Sequence, residues 1–395
     1  MTHAETRVAT ARPRLFARSE PLAADEQLLH YLGTDGGVWL DGARDFVTAG
    51  VAARVSPAEA VAALQAIEHE PAVAATPDAL FGPRAVGALP FHGGGRLIIP
   101  ARIVERAADG SLWRTDVEPA TVPPTPQSAA PRSPARYDIT QVTDAEEWAA
   151  NVAAILTAIE AGEVEKVVLA RAIEIDADEP FDIAGIASVL RETQPGCVVY
   201  ADRGFVGASP ELLVRRTGPD VTARPMAGTA PHADDLRRSG KDAREHQIVV
   251  DAVVTALASF CDDVHALGTA PVSLTDLAHL ATTITGRVRD LDTSAVDLAL
   301  ALHPTPAVAG TPRAAALAAI TRLEATPRDL YAGPCGWVDA TGDGEFVVAL
   351  RGAQINGNHA RLHAGAGIVA GSRPESEWAE TRSKLEPMLR ALVRP

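Results

Sequence analysis

The pattern of apolar and polar positions predicts three amphipathic helices in the part of the chain after about residue 140. The first has its apolar side chains on one face, at Trp148, Val152, Ile155, Leu156 and Ile159. Thr143 and Glu146 precede it at the spacing of a capping box, in which each side chain bonds a backbone N–H of the opening turn. Gly162 can end this helix.

The other two helices lie later in the chain. One is predicted to begin near Lys241 and to run past Leu257, and it buries an apolar face made of Ile248, Val249, Val253 and Leu257. Ser372, Pro374 and Glu375 mark the start of the last helix, because a small polar residue followed by proline and an acid is typical of a first helical turn.

Strand-forming residues are concentrated between the predicted helices. Residues 166–175 predict one strand, and residues 331–368 predict antiparallel strands joined by tight turns at 342–344 and 356–357. The helices are interspersed with these strands without a regular βαβ alternation. The pattern therefore predicts an α+β fold rather than a doubly wound sheet.

The first third of the chain contains a glycine-rich turn at 92–96, with predicted strands at 87–91 and 96–100 on its two sides. This turn lacks the Lys-Ser/Thr pair of a nucleotide-phosphate loop, and no helix is signalled after it. A hairpin turn is therefore the favoured interpretation.

Six prolines then occur between 119 and 134, with almost no large apolar residue among them. Such a segment cannot bury enough surface to order itself, which predicts a linker or a long surface loop. It separates an N-terminal part, about 1–115, from a C-terminal part, about 137–395.

Composition and charge narrow the classes of function. The chain has 395 residues, of which 47% are apolar, and 36 basic against 51 acidic residues give a formal charge of −15. A field of this sign repels phosphate backbones and anionic membranes, so nucleic acid is not an expected partner. A small anionic substrate is still compatible with it where Arg, Lys or a metal ion inverts the field in one cleft.

No apolar run approaches the roughly 20 residues of a membrane span, and residues 1–21 lack the apolar core of a secretory signal. Cys197, Cys261 and Cys335 lie far apart and form no C-x-x-C motif. This predicts buried thiols rather than a zinc site or a disulfide framework. We therefore expect a cytoplasmic protein in a reducing compartment.

Two acidic pairs share one geometry. Asp242 and Glu245 are spaced i, i+3 near the start of one predicted helix, and Glu377 and Glu380 repeat that spacing near the start of the last one. If the two helix starts converge, four carboxylates face one another, and a hard divalent cation such as Mg²⁺ would relieve their repulsion. The alternative is that these acids only complement the helix dipoles.

Lys166 and Glu211 are charged residues at the ends of apolar strands. Lys166 either extends to water from a strand edge or points into a closed cleft, where desolvation favours the neutral amine of a general base. Glu211, in a similar setting, could stay protonated and act as a general acid. Gly228, Gly365 and Gly367 are either simple turn residues or places where backbone N–H groups approach an anion.

Nine motifs occur in a fixed order along the chain: KVVLAR (166–171), SPELL (209–213), PMAGT (225–229), KDxxEH (241–246), HPTPAV (303–308), YAGP (331–334), GDGEF (342–346), AGAGIV (364–369) and EWAET (377–381). Together they resemble the chorismate-utilising enzymes, a family that includes isochorismate, salicylate, anthranilate and aminodeoxychorismate synthases. The strong resemblance covers about 137–393, and a weaker one at 87–91 reaches the N-terminal part.

The resemblance implies the anthranilate-synthase-like chorismate-binding fold, in which two antiparallel sheets pack on each other with helices on the outside. It implies a single domain over 1–395. In that domain the Pro-rich segment is a loop, 116–136, between the N-terminal part, 1–115, and a catalytic core, 137–395.

The resemblance also implies a Mg²⁺-dependent site. By matching motifs, Glu245 and Glu380 would contact the metal directly, and Asp242 and Glu377 would hold it through waters. The metal would bind the ring carboxylate of chorismate. The residues implied to bind the substrate are Gly228, Thr229, His279, Tyr331, Arg351, Gly365, Gly367 and Lys384.

Two positions distinguish members of this family. Lys166 stands where ammonia-using members resemble one another in having Gln, and Ala227 stands where members that form a covalent amine adduct have Lys. The resemblance therefore implies that Lys166 activates water for attack on ring carbon C2. Glu211 would protonate the departing C4 hydroxyl, and isochorismate would form.

A salicylate synthase shares these residues and goes on to eliminate pyruvate, although the sequence of 304–310 favours an isochorismate synthase. Two further functions are compatible with the motifs: an anthranilate-type synthase with a glutaminase partner, which Lys166 argues against, and a non-catalytic homologue that binds chorismate. We expect a monomer with no obligate glutaminase subunit, in either menaquinone or siderophore biosynthesis. The sequence departs from its relatives at two places. The loop at 230–240 is shorter than the corresponding loop of relatives, and Asp242 stands where some members have the longer Glu.

Overall fold

The computed structural model describes residues 14–393 except 23–26, 34, 71–80, 108, 121–133 and 276. Most of the loop predicted over 116–136 therefore lies outside the described residues. The helices are α1 (Ala60–Gln65), α2 (Ala145–Glu160), α3 (Ile183–Thr193), α4 (Ala233–Arg238), α5 (Gly240–Leu257), α6 (Ala295–Leu302), α7 (Arg313–Leu323) and α8 (Pro374–Val393).

The strands pair antiparallel, except that β1 and β4 pair in parallel. They are β1 (Phe16–Leu22), β2 (Val38–Leu40), β3 (Asp45–Val55), β4 (Glu68–Glu70), β5 (Arg84–Ala88), β6 (Leu97–Arg106), β7 (Leu112–Glu118), β8 (Tyr137–Gln141), β9 (Lys166–Ala177), β10 (Val198–Asp202), β11 (Phe205–Ser209), β12 (Leu212–Thr217), β13 (Asp220–Arg224), β14 (Met226–Ala230), β15 (Cys261–Ser273), β16 (Ala278–Val288), β17 (Gly310–Thr311), β18 (Pro334–Asp339), β19 (Gly344–Val348), β20 (Gly352–Asn356) and β21 (His359–Ile368).

The strands form two arms that meet at β6. In the first arm, β8, β9, β21, β20, β11, β10, β2 and β3 pair in that order and reach β6. In the second, β15, β16, β13, β12, β19, β18 and β5 lead to the same strand, where Val86 pairs with Ile98. The α+β prediction is confirmed. The predicted separation into two sheets is not confirmed, because the pairing continues through β6.

Strands on both sides of the Pro-rich segment pair with each other. β2 pairs with β10, and β5 pairs with β18. The strands predicted on either side of the glycine turn at 92–96 are present as β5 and β6. The N-terminal strands thus share one hydrogen-bonded network with the rest of the chain, and the boundaries of a single domain over 1–395 remain a prediction.

Helix α2 forms where its apolar face predicts it, but its cap is different. Asp144, rather than Thr143, is the N-cap residue, and its Oδ1 accepts from the backbone N–H of Glu146 at 2.9 Å and of Glu147 at 2.8 Å. Thr143 is buried one residue earlier. An ionised carboxylate accepts both amides and also complements the helix dipole, so it replaces the predicted capping box.

The start of α8 is held in place by α2. The indole Nε1 of Trp148 donates to the Pro374 carbonyl at 3.1 Å, and its ring packs edge-on against Trp378 at 6.0 Å between centroids. The predicted start of the last helix at Pro374 is confirmed. The first turns of α8, which carry Glu377 and Glu380, are therefore packed against α2.

Helix α5 begins next to the predicted position, with the Ser239 hydroxyl accepting from the Asp242 N–H at 3.1 Å. It ends at Leu257 instead of running past it, and Ile248 is only partly buried. The three cysteines are buried free thiols, as predicted. No helix within the described ranges is long and apolar enough to cross a membrane.

Candidate active site

Two adjacent strands and two helix starts build the site. β9 and β21 pair antiparallel, so that Val168 lies opposite Gly367. A Cβ at Gly367 would lie 2.2 Å from Oε1 of Glu245 and 3.0 Å from Cε of Lys166. Glycine is therefore needed here because a charged pair from β9 and α5 packs directly against the backbone of β21.

Lys166 and Glu245 form that pair. The Lys166 Nζ lies 2.9 Å from Glu245 Oε1, and the Lys166 side chain is fully buried. Apart from this ion contact, Nζ makes no hydrogen bond with the described residues. A buried ammonium with unused donors is costly unless something else binds to it. Lys166 thus points into the protein rather than extending to water from a strand edge.

The acidic residues at the starts of α5 and α8 converge. Burial raises the pKa of Glu380, and Glu245 and Glu377 raise it further by repulsion. Burial also acts to raise the pKa of Glu245, but the ammonium groups around it, Lys166 first, outweigh burial and lower it. Glu245, Glu377 and Glu380 thus lie close enough for their charges to interact, and the arrangement of all four acids around a metal stays a prediction.

The fourth acid, Asp242, lies beside the backbone of β14. A Cβ at Gly228 would approach Cβ of Asp242 to 2.9 Å, and Gly228 has a φ of +72°, which favours glycine. Gly228 therefore allows the first turn of α5 to pack against the strand that leads to Thr229.

Each of the three converging carboxylates contacts an ammonium group: Glu245 contacts Lys166, Glu377 contacts Lys241 at 2.8 Å, and Glu380 contacts Lys384 at 2.5 Å. Across the described part of the chain, no group of three or more His, Cys, Asp or Glu side chains is arranged to hold a metal ion. The donors are nevertheless all carboxylate oxygens, which Mg²⁺ prefers. A divalent cation would also relieve the repulsion felt by Glu380, so the residues fit Mg²⁺ by their chemistry.

A cavity lies beside this cluster. The candidate site residues that line it are Glu211, Gly228, Thr229, Glu245, His279, Tyr331, Arg351, Gly365, Gly367 and Lys384. Ala227, the position that distinguishes the amine-adduct members, also lines it. Lys166, Asp242, Glu377 and Glu380 are not part of the lining. Lys166 contacts Glu245, and Glu245 does line the cavity.

Glu211, which lines the cavity, is strongly affected by burial. It follows β11, is 4% exposed, and its backbone carbonyl accepts from the Val348 N–H at 3.1 Å. Burial raises its pKa from the ordinary 4.5 to about 7, although the Met226 amide and the ammonium groups of Lys166 and Lys384 act in the opposite direction. A carboxyl group with that pKa can donate a proton at neutral pH.

His279 orients Arg351. The Arg351 Nη2 donates to His279 Nε2 at 3.0 Å, and because a guanidinium can only donate, Nε2 is an acceptor and the proton is on Nδ1. Nδ1 lies 3.1 Å from the Gly228 carbonyl and 3.2 Å from the Thr229 hydroxyl. Burial first, then Arg351 and Lys384, lowers the pKa of His279 well below its usual value. The imidazole is therefore neutral and serves as a fixed acceptor for Arg351.

Tyr331 is another residue that lines the cavity. Its ring stacks on His363 at 5.2 Å between centroids, and burial raises the pKa of its hydroxyl to about 12. Nζ of Lys384 donates to the Gly365 carbonyl at 2.9 Å, and both residues line the cavity. A protonated phenol and two cationic side chains, Lys384 and Arg351, therefore surround the cavity, and both kinds of group bind carboxylates.

Sequence reasoning missed three residues at this site. Arg328 and His363 line the cavity, and Glu324 pairs with Arg328. Burial lowers the pKa of His363 to about 3, with help from Arg328 and Arg361. The i, i+4 spacing of Glu324 and Arg328 just before the YAGP motif was the available signal, but exposed helix pairs have the same spacing.

The sequence model of one protein family, described as chorismate binding enzyme, matches residues 106–393. A putative isochorismate synthase from Mycobacterium tuberculosis is 40% identical over 336 residues, which cover 78% of this chain and 86% of that protein.

Two solved structures are similar along nearly the whole chain. The menaquinone-specific isochorismate synthase of Escherichia coli has a TM-score of 0.81 at 26% identity, covering 97% of this chain and 96% of its own. A putative 2,3-dihydroxybenzoate-specific isochorismate synthase from Bacillus anthracis has a TM-score of 0.77 at 31% identity, covering 92% and 98%. The family match spans more than half of the sequence, and the chain therefore belongs to the chorismate binding enzyme family.

Proposed function

We propose that this protein is an isochorismate synthase, which converts chorismate to isochorismate with Mg²⁺ as its cofactor. One observation carries the proposal: Glu211, a buried carboxyl group with a pKa raised to about 7, lines the same cavity as Glu245, which contacts the fully buried Lys166 at 2.9 Å. A base and an acid held together are what the addition of water at one ring carbon and the loss of hydroxide from another require. Relatives named isochorismate synthase support the same reaction.

Lys166 acts as the general base in this proposal. A proton passes from water to the Lys166 Nζ, and the water oxygen forms a bond to C2 of the ring. Because Nζ makes no hydrogen bond with the described residues apart from its ion contact with Glu245, it is available to hold that water in line with C2.

Glu211 acts as the general acid. As the new C2–O bond forms, the ring double bonds shift and the C4–O bond breaks. Glu211 gives its proton to the departing hydroxide, which leaves as water. One water enters and one leaves, so the product is an isomer of the substrate, and the reverse reaction uses the same groups with their roles exchanged.

The remaining cavity residues bind the substrate carboxylates. Arg351, fixed by His279, and Lys384, fixed by the Gly365 carbonyl, supply positive charge. The Tyr331 hydroxyl donates to the same class of group, and Gly228, Thr229 and Gly367 let the ring approach the backbone. Because the cavity lining is largely buried, these contacts act with little competition from bulk water.

Glu245 and Glu380 would hold Mg²⁺ directly, and Asp242 and Glu377 would hold it through waters. The bound ion would neutralise and orient the ring carboxylate of the substrate. We expect no glutaminase subunit, because water rather than ammonia is the nucleophile.

The test is to incubate the purified protein with chorismate, with and without Mg²⁺, and to separate the products by chromatography with mass detection. The proposal expects a Mg²⁺-dependent mixture of chorismate and isochorismate. Salicylate with pyruvate would assign the protein to the lyase branch, and an aminated product in an ammonium-supplemented sample would overturn the role of Lys166. If there is no turnover at all, the protein is a binding homologue.

A further inference from the structure

The strand that carries Lys166 lacks a partner strand along part of one edge. On one side, β9 pairs with β21 over its whole cavity half. On the other side, β17 pairs only with Lys166 and Val167, and β8 begins to pair only at Ile173. Buried backbone groups between these two partners need other hydrogen bonds.

Glu324 and Arg328 supply those bonds. Oε1 of Glu324 accepts from the Ala170 N–H at 2.9 Å, and Nη2 of Arg328 donates to the Val168 carbonyl at 2.8 Å. Arg328 and Glu324 are joined to each other by two hydrogen bonds of 2.9 and 2.5 Å. Arg328 supplies the donor and Glu324 the acceptor that a residue of a partner strand would otherwise provide. Both side chains are almost completely buried, at 6% and 1% exposure.

The same arginine also holds two other walls of the cavity. Its Nη1 donates to the Val308 carbonyl at 2.6 Å, and its backbone carbonyl accepts from the Tyr331 N–H at 2.8 Å. The guanidinium lies over the Phe91 ring at 4.3 Å. Val168, Val308 and Tyr331 all line the cavity, so this one residue links three of its segments, two through its side chain and one through its backbone.

We infer that Glu324 and Arg328 are positioning residues, which replace a partner strand on β9 and thereby fix Lys166 against the cavity. Val168 is two residues from Lys166 on β9, so the Val168 carbonyl and the Lys166 side chain are carried by the same short stretch of backbone. Neither residue is assigned contact with the reacting atoms. The inference rests on the proposed role of Lys166 as the base.

Loss of this pair would displace the base without removing it. A shift of about 1 Å in a catalytic group can cost on the order of 10²-fold in rate. Arg328→Lys keeps the charge but not the planar fork, and Glu324→Gln keeps an acceptor oxygen but not the ion pair. We expect kcat to fall about 10²-fold in the first variant and about 10-fold in the second, with smaller changes in KM.

Arg84→Lys is the matched control. Arg84 forms a comparably buried ion pair with Glu105, with side chains 2% and 7% exposed, and neither residue lines the cavity. This control is expected to unfold at a lower temperature with kcat unchanged. If the control lost as much kcat as Arg328→Lys, the effect would be general destabilisation and the inference would be wrong.

Amide hydrogen exchange gives a readout that does not depend on turnover. In both variants the Ala170 amide is expected to exchange at least about 10-fold faster than in the unmodified protein, while β9 amides that face β21 keep their rates. Unchanged Ala170 exchange, or unchanged kcat in both variants, overturns the inference. If the unmodified protein makes no isochorismate, the proposed function fails instead, and the exchange rates alone decide the role of the pair.

Discussion

Two of the regions in which charged side chains are buried differ in how those side chains are paired. In the N-terminal strands, Arg84 on β5 pairs with Glu105 on β6, and its guanidinium lies 5.2 and 5.1 Å from the ring centroids of Phe46 and Trp337. A planar guanidinium matches a carboxylate and stacks on aromatic faces at the same time. These contacts hold β5 and β6 in one arrangement with Phe46 and Trp337.

The cavity pairs its converging carboxylates with lysines instead. The contacts are Lys166 with Glu245, Lys241 with Glu377, and Lys384 with Glu380. An ammonium is a point charge on a flexible stem and can exchange one partner for another. The guanidinium pairs Arg84–Glu105 and Arg328–Glu324 therefore hold one arrangement, whereas the lysine pairs at the cavity leave groups that an anionic substrate or a cation can engage.

The largest expected effect is the loss of the buried lysine. Lys166→Ala removes the proposed base, and we expect turnover of chorismate to fall about 10⁴-fold because general base catalysis contributes up to that factor. Binding of chorismate, measured by calorimetry in the presence of Mg²⁺, should change little. Unchanged turnover in this variant would contradict the assignment.

Glu211→Gln tests the other proton-transfer group. The amide keeps the shape and cannot give up a proton, so kcat should fall about 10²- to 10³-fold. In the unmodified protein, the rate of isochorismate formation should decline as the pH rises through about 7, because Glu211 then loses its proton. A pH–rate profile that shows the same decline in the Gln variant would exclude Glu211 as its source.

The cluster of carboxylates is tested by direct metal binding. Glu380→Gln is expected to weaken Mg²⁺ binding more than about 10-fold in calorimetry, since changes even outside the ligand shell cost about 10- to 100-fold. The half-exposed Glu386, which pairs with Arg390 on the same helix, provides the control Glu386→Gln. Equal Mg²⁺ affinity in both variants would show that the helix starts do not form the metal site.

Loss of the N-terminal ion pair is expected to lower stability without lowering kcat. Arg84→Met leaves the Glu105 carboxylate buried without its partner, which should lower the free energy of unfolding by about 3–5 kcal/mol. Urea denaturation measures this loss, and kcat should stay unchanged in the protein that is still folded. A large fall in kcat would mean that the two regions are coupled.

The smallest expected effect is a pH dependence of stability. Glu211 holds its proton more tightly in the folded protein, with a pKa of about 7 against an ordinary 4.5. Stability from this group is therefore fully present below about pH 4.5 and is lost as the pH rises through about 7. Glu211→Gln lacks this loss, so its melting temperature should rise relative to the unmodified protein over that range. A constant difference would mean that the carboxyl is not buried in its neutral form.

The sequence alone predicted the elements that depend on local pattern. The strand from Lys166, the start of α8 at Pro374 and the hairpins after β18 and β20 follow from hydrophobic period and turn residues. The i, i+3 acids could be placed on helix faces, but their convergence depended on the resemblance. The cap of α2 was wrong by one residue, because Thr143 and Asp144 both fit the pattern and only tertiary burial of Thr143 separates them.

What the sequence could not show is contact between distant segments. Glu324 reaches Ala170 across 154 positions, and no periodicity marks such a pair. The continuity of the two arms likewise depends on the single pairing of Val86 with Ile98. These features arise from how strand edges meet in space, which is why they appear only in the structure.

The central claim is that the cavity activates water through Lys166, and an isotope experiment tests it most directly. Chorismate and Mg²⁺ would be incubated with the protein in H₂¹⁸O, and isochorismate collected at early times would be analysed by mass spectrometry. We predict one ¹⁸O atom, located at the C2 hydroxyl, in each molecule of isochorismate. Unlabelled isochorismate would contradict the account, because the hydroxyl would then have moved within the substrate.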